Sequence, residues 1–271
     1  MPSATTRASA TAEALTQTSP ATPRGHARVN LALFALGLAT FAMLFSTQAL
    51  LPDIAAAHAV HPHDASWTVS AATIGLAVAV LPLSVLSERF GRRRVMTISV
   101  SVAVALALVM PFVPGLGALI ALRAVQGAAI AGIPASAVAY LSEELPPRAT
   151  VGAVGLFIAG NSVGGMTGRV LTGWIAEAHD WRAALAALAA MALLAAAAYH
   201  VLLPPQRNFT PAPLRPRLVL RTVGCHLGRP LLLRLYLIGL LLMAAFSAVY
   251  TVVGLWPSRS GCRPAWPGQS S

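Results

Sequence analysis

The chain has 271 residues, of which 56% are hydrophobic and only 10% charged, and its mean hydropathy is +0.70. A soluble domain carries about 25% charged residues, so a soluble enzyme, a coiled coil, a collagen and a disordered regulator all fit poorly. The net charge of +11 comes from 19 arginines without one lysine, placed mostly between apolar runs. A nucleic-acid binder gathers such charge on one soluble face, so no nucleic-acid partner is expected. Two cysteines, Cys225 and Cys262, make no disulfide framework. The composition is that of an integral membrane protein whose first partner is the lipid bilayer.

Residues 1–29 are rich in Ala, Thr, Ser and Pro and read as a disordered cytoplasmic tail. The first apolar run starts about thirty residues in and is long enough to span, unlike the 7–15-residue core of a cleaved signal. Crossing the hydrocarbon core takes about 20 apolar residues in a helix. Seven windows qualify, at 30–52, 65–86, 95–114, 116–141, 149–175, 183–203 and 235–255. Only Arg123 and Arg169 place a charge inside any of them. None alternates with period two, so a β-barrel is not expected.

Arginine placement sets orientation, because loops on the cytoplasmic side carry the excess of positive charge. The tail holds Arg7, Arg24 and Arg28, the 87–94 connection holds Arg89, Arg92, Arg93 and Arg94, and the 204–234 connection holds six more arginines. The 52–65 and 112–116 connections hold none. The N-terminus is therefore expected in the cytoplasm. The long, basic, proline-containing 204–234 segment reads as a cytoplasmic linker between a six-helix unit at 30–203 and a seventh transmembrane helix at 235–255. The fold class is an all-α polytopic membrane protein.

Ser84 to Arg94 close the second span and open the third. Glu88 and the arginines sit where ion pairs form at modest desolvation cost, and Gly91 permits a tight reversal. A plain positive-inside anchor accounts for such a loop too. In the fourth span lies Arg123-Ala124-Val125-Gln126-Gly127. An arginine at membrane depth costs about 2.5–3.5 kcal/mol on insertion scales, so it faces the bundle interior or water, as a functional group or as a structural pair. In the fifth span Gly160, Gly164 and Gly168 recur every four residues on one face that admits a close helix neighbour.

These segments resemble the signatures of the major facilitator superfamily. Arg89, Gly91, Arg92 and Arg93 match its Gly-x-x-x-Asp-Arg-x-Gly-Arg-Arg/Lys loop, with Ser84 in place of Gly and Glu88 in place of Asp. Arg123 to Gly127 is similar to its Arg-x-x-Gln-Gly element, and Gly160-Asn161-Ser162-Val163-Gly164-Gly165 to its antiporter element, with Asn161 in place of Pro. The ending Leu50-Leu51-Pro52-Asp53 resembles multidrug and sugar efflux members. The likeness covers about residues 30–254 and is nearest to bacterial inner-membrane efflux transporters.

It implies a six-helix N-terminal half at 30–203, a location in the cell inner membrane, and export by alternating access driven by protons, with a small-molecule substrate. Glu88, Arg89, Gly91, Arg92 and Arg93 inherit the conformational-switch loop. Arg123 becomes the proton-coupling candidate, with Asp53 a second. Phe41, Phe45 and Gln48 share one helical face and, with Gln126 and Asn161, are the cavity-lining candidates for an amphipathic substrate; lipid-facing or packing aromatics are the competing reading.

Weaker signals point elsewhere. Gly160 to Gly164 also spell Gly-x-Ser-x-Gly, which marks a nucleophile only on a strand–turn–helix. His58, His61, His63 and Asp64 crowd one connection, where a solvated loop is expected rather than a metal. No motif asks for a cofactor. After Gly254 the helical period stops and residues 256–271 look foreign to the rest. The expectation is a transporter truncated or frameshifted after its seventh span, with little transport by itself. The alternatives are a non-transporting remnant or assembly partner, and a half-transporter working as a homodimer. The oligomeric state stays open.

Overall fold

The computed structural model describes residues 23–206 and 228–255. The expectations for residues 1–22, most of the 204–234 linker with Cys225, and the 256–271 tail with Cys262 lie outside the described residues. Nine α-helices occur among the described residues: α1 Pro23–Phe45, α2 Leu51–Ala57, α3 Pro62–Phe90, α4 Arg92–Val109, α5 Leu116–Ile130, α6 Gly132–Glu144, α7 Pro147–Ala178, α8 Trp181–Leu202 and α9 Pro230–Leu255. No strand appears among these residues. Six helical stretches are long and apolar enough to cross a membrane, Gly25–Gln48, Pro62–Phe90, Arg92–Phe112, Leu116–Glu144, Pro147–Ala178 and Trp181–Leu202. The expected seventh span falls on α9, which starts at Pro230 rather than at residue 235.

Local chemistry sets these boundaries. Proline opens α3 and α7, where its missing N–H and fixed φ suit the first helical turn. The same residue type begins α1, so the first helix starts at Pro23 and takes up residues 23–29, which were expected in the tail. Asp180 caps α8, its carboxylate accepting the Ala183 N–H at 2.6 Å. The fourth window is broken at Ala131 into α5 and α6. Pro134 lies three residues on and has no N–H for the Ile130 carbonyl, which accounts for the break. The first window is broken too: α1 stops at Phe45, a 3-10 turn covers Ser46–Gln48, and α2 follows.

α1 is the central stave. Ala32, Leu33, Leu36, Ala39 and Met43 are fully buried and join Met96 and Val100 of α4, Ile133 and Tyr140 of α6, and Ala192 and Tyr199 of α8 in the main core. A second cluster at the far end joins Leu50, Leu51 and Ile54 to Met110, Leu119, Trp181 and Leu185. The outer faces of α3, α7, α8 and α9 remain apolar, as at Val78, Trp174, Leu194 and Leu240. In lipid such faces carry no penalty, and close packing of small residues holds helices together instead.

That packing is plainest between α1 and α7. A Cβ on Gly160 or Gly164 would run into the backbone carbonyl of Phe34 or Leu38, and one on Gly168 would lie 2.8 Å from Ala42 Cα. The pairing advances by four on both helices, so α1 and α7 run parallel, and Thr172 extends it by donating its hydroxyl to Ser46 O at 3.2 Å. The glycine face read from the sequence is thus the face that admits α1.

Candidate functional site

Two polar assemblies interrupt the apolar bundle. The first lies at the basic end. Gly91, with φ of 99°, reverses the chain between α3 and α4, a backbone conformation that favours glycine. Its N–H donates to Ser87 O at 3.1 Å. The reversal delivers Arg92 to the first turn of α4, where Nε donates to Glu143 Oε1 at 3.1 Å and an Nη donates to Ser87 Oγ at 2.6 Å. Glu88, the loop's own acid, stands 3.8 Å from Arg92 and is half exposed, so the tighter ion pair of Arg92 runs to α6. Arg89 is exposed beside the Phe90 ring.

Gln206 completes the assembly. It donates to Glu143 Oε2 at 2.8 Å and accepts the Arg93 backbone N–H at 3.2 Å. Arg93 donates from its guanidinium to Leu203 O, and Tyr140 from its hydroxyl to Pro204 O. The segment leaving α8 is therefore strapped across the α3–α4 turn. Sequence reasoning missed Glu143 and Gln206. Glu143 had a legible signal, an acid at the end of a span that returns to the arginine loop; Gln206 had none.

The second assembly surrounds the break in the first span. Arg123 is 1% exposed. Its guanidinium donates to Met43 O at 2.7 Å, Leu44 O at 2.6 Å, Thr68 O at 3.1 Å and Gln126 Oε1 at 2.7 Å. Met43 and Leu44 close the last turn of α1, where helix carbonyls lack partners and the dipole favours a cation. Arg123 thus caps the broken helix and ties it to α3. Gln126 passes the network on by donating to Ala103 O at 3.1 Å.

Arg169 approaches the same break from α7. Its Nε and one Nη donate to Gln48 Oε1 at 2.9 and 2.8 Å, and the other Nη donates to Gly165 O at 3.0 Å. The guanidinium carbon lies 4.6 Å from the Phe45 ring centroid, a cation–π distance. Phe45 in turn lies 5.7 Å from Phe41, tilted against it. Gln48 is buried, whereas Arg169, Phe41 and Phe45 are half-buried.

Phe41, Phe45 and Gln48 are therefore brought together as the helical face required, and Arg169 joins them. Two cavity-lining expectations are corrected. Gln126 is 1% exposed with both ends of its amide bonded, so it belongs to the core. Asn161 turns its amide oxygen, buried and unpartnered among the described residues, onto Gly37 of α1, where the lack of a Cβ makes room. It serves the packing of α1 on α7. Arg169 was seen in the sequence only as the residue after Gly168; nothing local in the sequence joined it to Gln48.

Asp53 sits in the first turn of α2, beyond the break, and shares no hydrogen bond or ion pair with Arg123 among the described contacts. Partial desolvation, and then the Glu177 carboxylate, raise its pKa above the ordinary aspartate range. Of the histidines in the same connection, His58 is taken up in packing. Its Nδ1 lies 3.0 Å from Ile54 O and its ring 5.6 Å from that of Trp181. No group of three or more metal-ligating side chains occurs among the described residues. Ser162 lies inside α7 and donates to Ile158 O, so the Gly-x-Ser-x-Gly run is no nucleophile elbow.

Long apolar helices, glycine-tight packing and arginines at membrane depth define a multi-pass α-helical membrane protein. Residues 32–265 match the family model of the Major Facilitator Superfamily, and the chain belongs to that superfamily. It is 37% identical over 227 residues to the MFS-type transporter YybF of Bacillus subtilis, covering 83% of this chain and 56% of that one. It is 35% identical over 230 residues to the inner membrane transport protein YnfM of Escherichia coli, covering 84% and 54%. A multidrug resistance protein of Mycobacterium tuberculosis, Stp, is 28% identical over 156 residues, covering 56% of this chain and 29% of its own. The chain spans about half the length of the first two. The superfamily and these relatives are transporters, not enzymes.

Proposed function

We propose that the chain forms part of an exporter of small molecules in the cell inner membrane, driven by protons and working by alternating access, with its N-terminus and basic end in the cytoplasm. The observation that carries this is the half-exposed face made by Phe41, Phe45 and Arg169, beside a break in α1 that a buried cation caps. A polar and aromatic face at membrane depth suits an amphipathic solute, and a broken helix beside it is the common setting of transporter sites. Likeness to a protein named for multidrug resistance supports export. Glu88, Arg89, Gly91, Arg92 and Arg93 serve as the switch loop, braced by Glu143. Arg123 serves in coupling through the α1 break, and Asp53, with its raised pKa, is the group that takes up the proton at the opposite end.

Inverted membrane vesicles carrying the chain together with the C-terminal half of the Escherichia coli relative YnfM, and a trapped pH dye, provide the test. Addition of a transported compound should move protons across the vesicle wall, and Asp53→Asn should abolish that movement. If no compound of a broad amphipathic panel moves protons, the exporter reading fails and the non-transporting alternative replaces it. Orientation is checked separately. After both native cysteines are changed to Ser, Arg94→Cys should react with an impermeant maleimide only in broken cells; labelling in intact cells reverses the assignment.

A further inference from the structure

The exposed sides of α4 and α8 are apolar at Ile98, Val102, Leu194 and Val201, as a lipid-facing surface should be. Ser101 and His200 interrupt them. Both are exposed, and they meet across the seam of the two helices, Oγ 3.3 Å from Nε2. Ionisable side chains within a span ordinarily face the bundle interior, so an outward histidine asks for a reason. Thr97, one turn before Ser101, lies 3.2 Å from the Tyr199 hydroxyl, and Arg93, a further turn back, donates from its guanidinium to Leu203 O at 3.3 Å. Arg93, Thr97 and Ser101 thus form a polar ladder that descends from the basic end along the α4–α8 seam.

Both ends of the ladder hold donors in excess. Whichever of Ser101 and His200 donates in their contact, the pair keeps one hydrogen over: the second imidazole N–H in one case, the hydroxyl in the other. Arg93 Nε is buried without an acceptor among the described residues. Arg94 is exposed and stands two turns above Ser101 on the same face of α4. Among the described residues the ion pairs run from Arg92 to Glu88 and Glu143, and none involves Arg93 or Arg94. The first turn of α4 carries three arginines and no acid at the positive end of its dipole, where an anion is favoured. Leu203 follows His200 by three residues, about 4.5 Å along the axis at 1.5 Å per residue, so the cations stand on the basic-end side of the His200–Ser101 pair. A diacyl phospholipid has the same order: phosphate, ester carbonyls one glycerol unit deeper, then the apolar chains.

We propose that the α4–α8 seam at the basic end binds an anionic phospholipid, its phosphate on Arg93 and Arg94 and an ester carbonyl on the His200–Ser101 pair. Basic pockets between spans hold anionic head groups by the same electrostatics. The site lies apart from the break in α1 and does not depend on the transport reading above.

The full chain, purified in detergent, is titrated with dioleoylphosphatidylglycerol or dioleoylphosphatidylcholine, and bound lipid is counted by native mass spectrometry. Phosphatidylglycerol should fill a first site at least about 10-fold more tightly than phosphatidylcholine. Arg94→Gln and Arg93→Gln should each remove most of that preference while leaving phosphatidylcholine binding unchanged, which also shows that the variants are folded. His200→Leu should weaken phosphatidylglycerol several-fold, because the ester loses its donor. Arg148→Gln removes an exposed arginine at the start of α7, off the seam, and should leave the preference intact. Equal binding of the two lipids overturns the site, and so does a preference lost as readily in Arg148→Gln as in Arg94→Gln, which is general attraction to the basic end. Displacement of the lipid by an equal concentration of glycerol 3-phosphate assigns the arginines to a soluble phosphate and overturns the lipid instead.

Discussion

Arg123 and Arg169 reach the same break in the first helix from opposite sides, yet their surroundings differ in kind. Arg123 is sealed in protein and spends four hydrogen bonds on fixed acceptors, three of them backbone carbonyls. Arg169 is half exposed and lies over a ring. The first is bound mainly to backbone carbonyls; the second is held by a buried glutamine, one carbonyl and a ring. At membrane depth, then, the presence of an arginine says less than what its guanidinium touches, because the same costly charge closes a helix end in one place and joins a glutamine, a backbone carbonyl and a ring in the other.

The largest effect should come from removing the sealed cation. Arg123→Leu strips Leu44 O, Thr68 O and Gln126 Oε1 of a buried donor, at about 1–3 kcal/mol for each acceptor left unsatisfied. Thermal unfolding in detergent should show a much lower midpoint or no folded protein at all. An unchanged midpoint would mean that the break in α1 needs no cap.

Next comes the contact between α1 and α7. Gly164→Leu forces a side chain onto the Leu38 backbone and should cost about 1–3 kcal/mol through the strain of overpacking, whereas Gly152→Leu, with open space around it, should cost little. Equal losses at the two sites in the same unfolding experiment would refute the close approach.

At the basic end, Gln206→Ala removes one donor to Glu143 and the acceptor of the Arg93 N–H on a half-buried surface, so about 1 kcal/mol is expected. Faster proteolysis after α8 would report release of the strap, and an unchanged cleavage rate would speak against it. Arg169→Gln should disturb stability no more than this, in contrast to Arg123→Leu; a loss as large as that of Arg123→Leu would erase the distinction between the two arginines.

The smallest effect concerns pH. Asp53 has a raised pKa in the folded protein, so its contribution to stability is present at low pH and fades as pH rises through that value. Glu177→Gln removes one of the two causes, so it should lower the Asp53 pKa and shrink the loss of stability on the alkaline side. An infrared carboxyl band that titrates at the same pH in both proteins would contradict the coupling.

Much of the bundle was legible in the chain because lipid imposes a length and a polarity on each span. The 65–86 window sits inside Pro62–Phe90 and the 183–203 window nearly coincides with Trp181–Leu202. The breaks were harder to see. Pro134 interrupts the fourth span and the 3-10 turn at Ser46 interrupts the first, but neither lowers the mean hydropathy enough to split a window, so a window count passes over them. The glycine face of α7 was readable from its spacing, while its partner was not. Gln48 and Arg169 stand 121 positions apart, and the pairing of α1 with α7 that joins them is a tertiary fact. For the same reason Gln126, which looked like a polar lining residue, is the link between Arg123 and Ala103 O.

The four-residue ladder between α1 and α7 limits how these two rods can shift. Each rung seats one backbone against another with no side chain between, from Phe34 on Gly160 to Ala42 on Gly168. Sliding one rod along the other meets collisions at every intermediate offset, and the next fit lies a whole rung away, about 6 Å at 1.5 Å per residue. The two rods will therefore move as one stiff stave, and bending will concentrate past Ser46, where backbone seated on backbone gives way to the side-chain hydrogen bonds of Thr172 and Arg169.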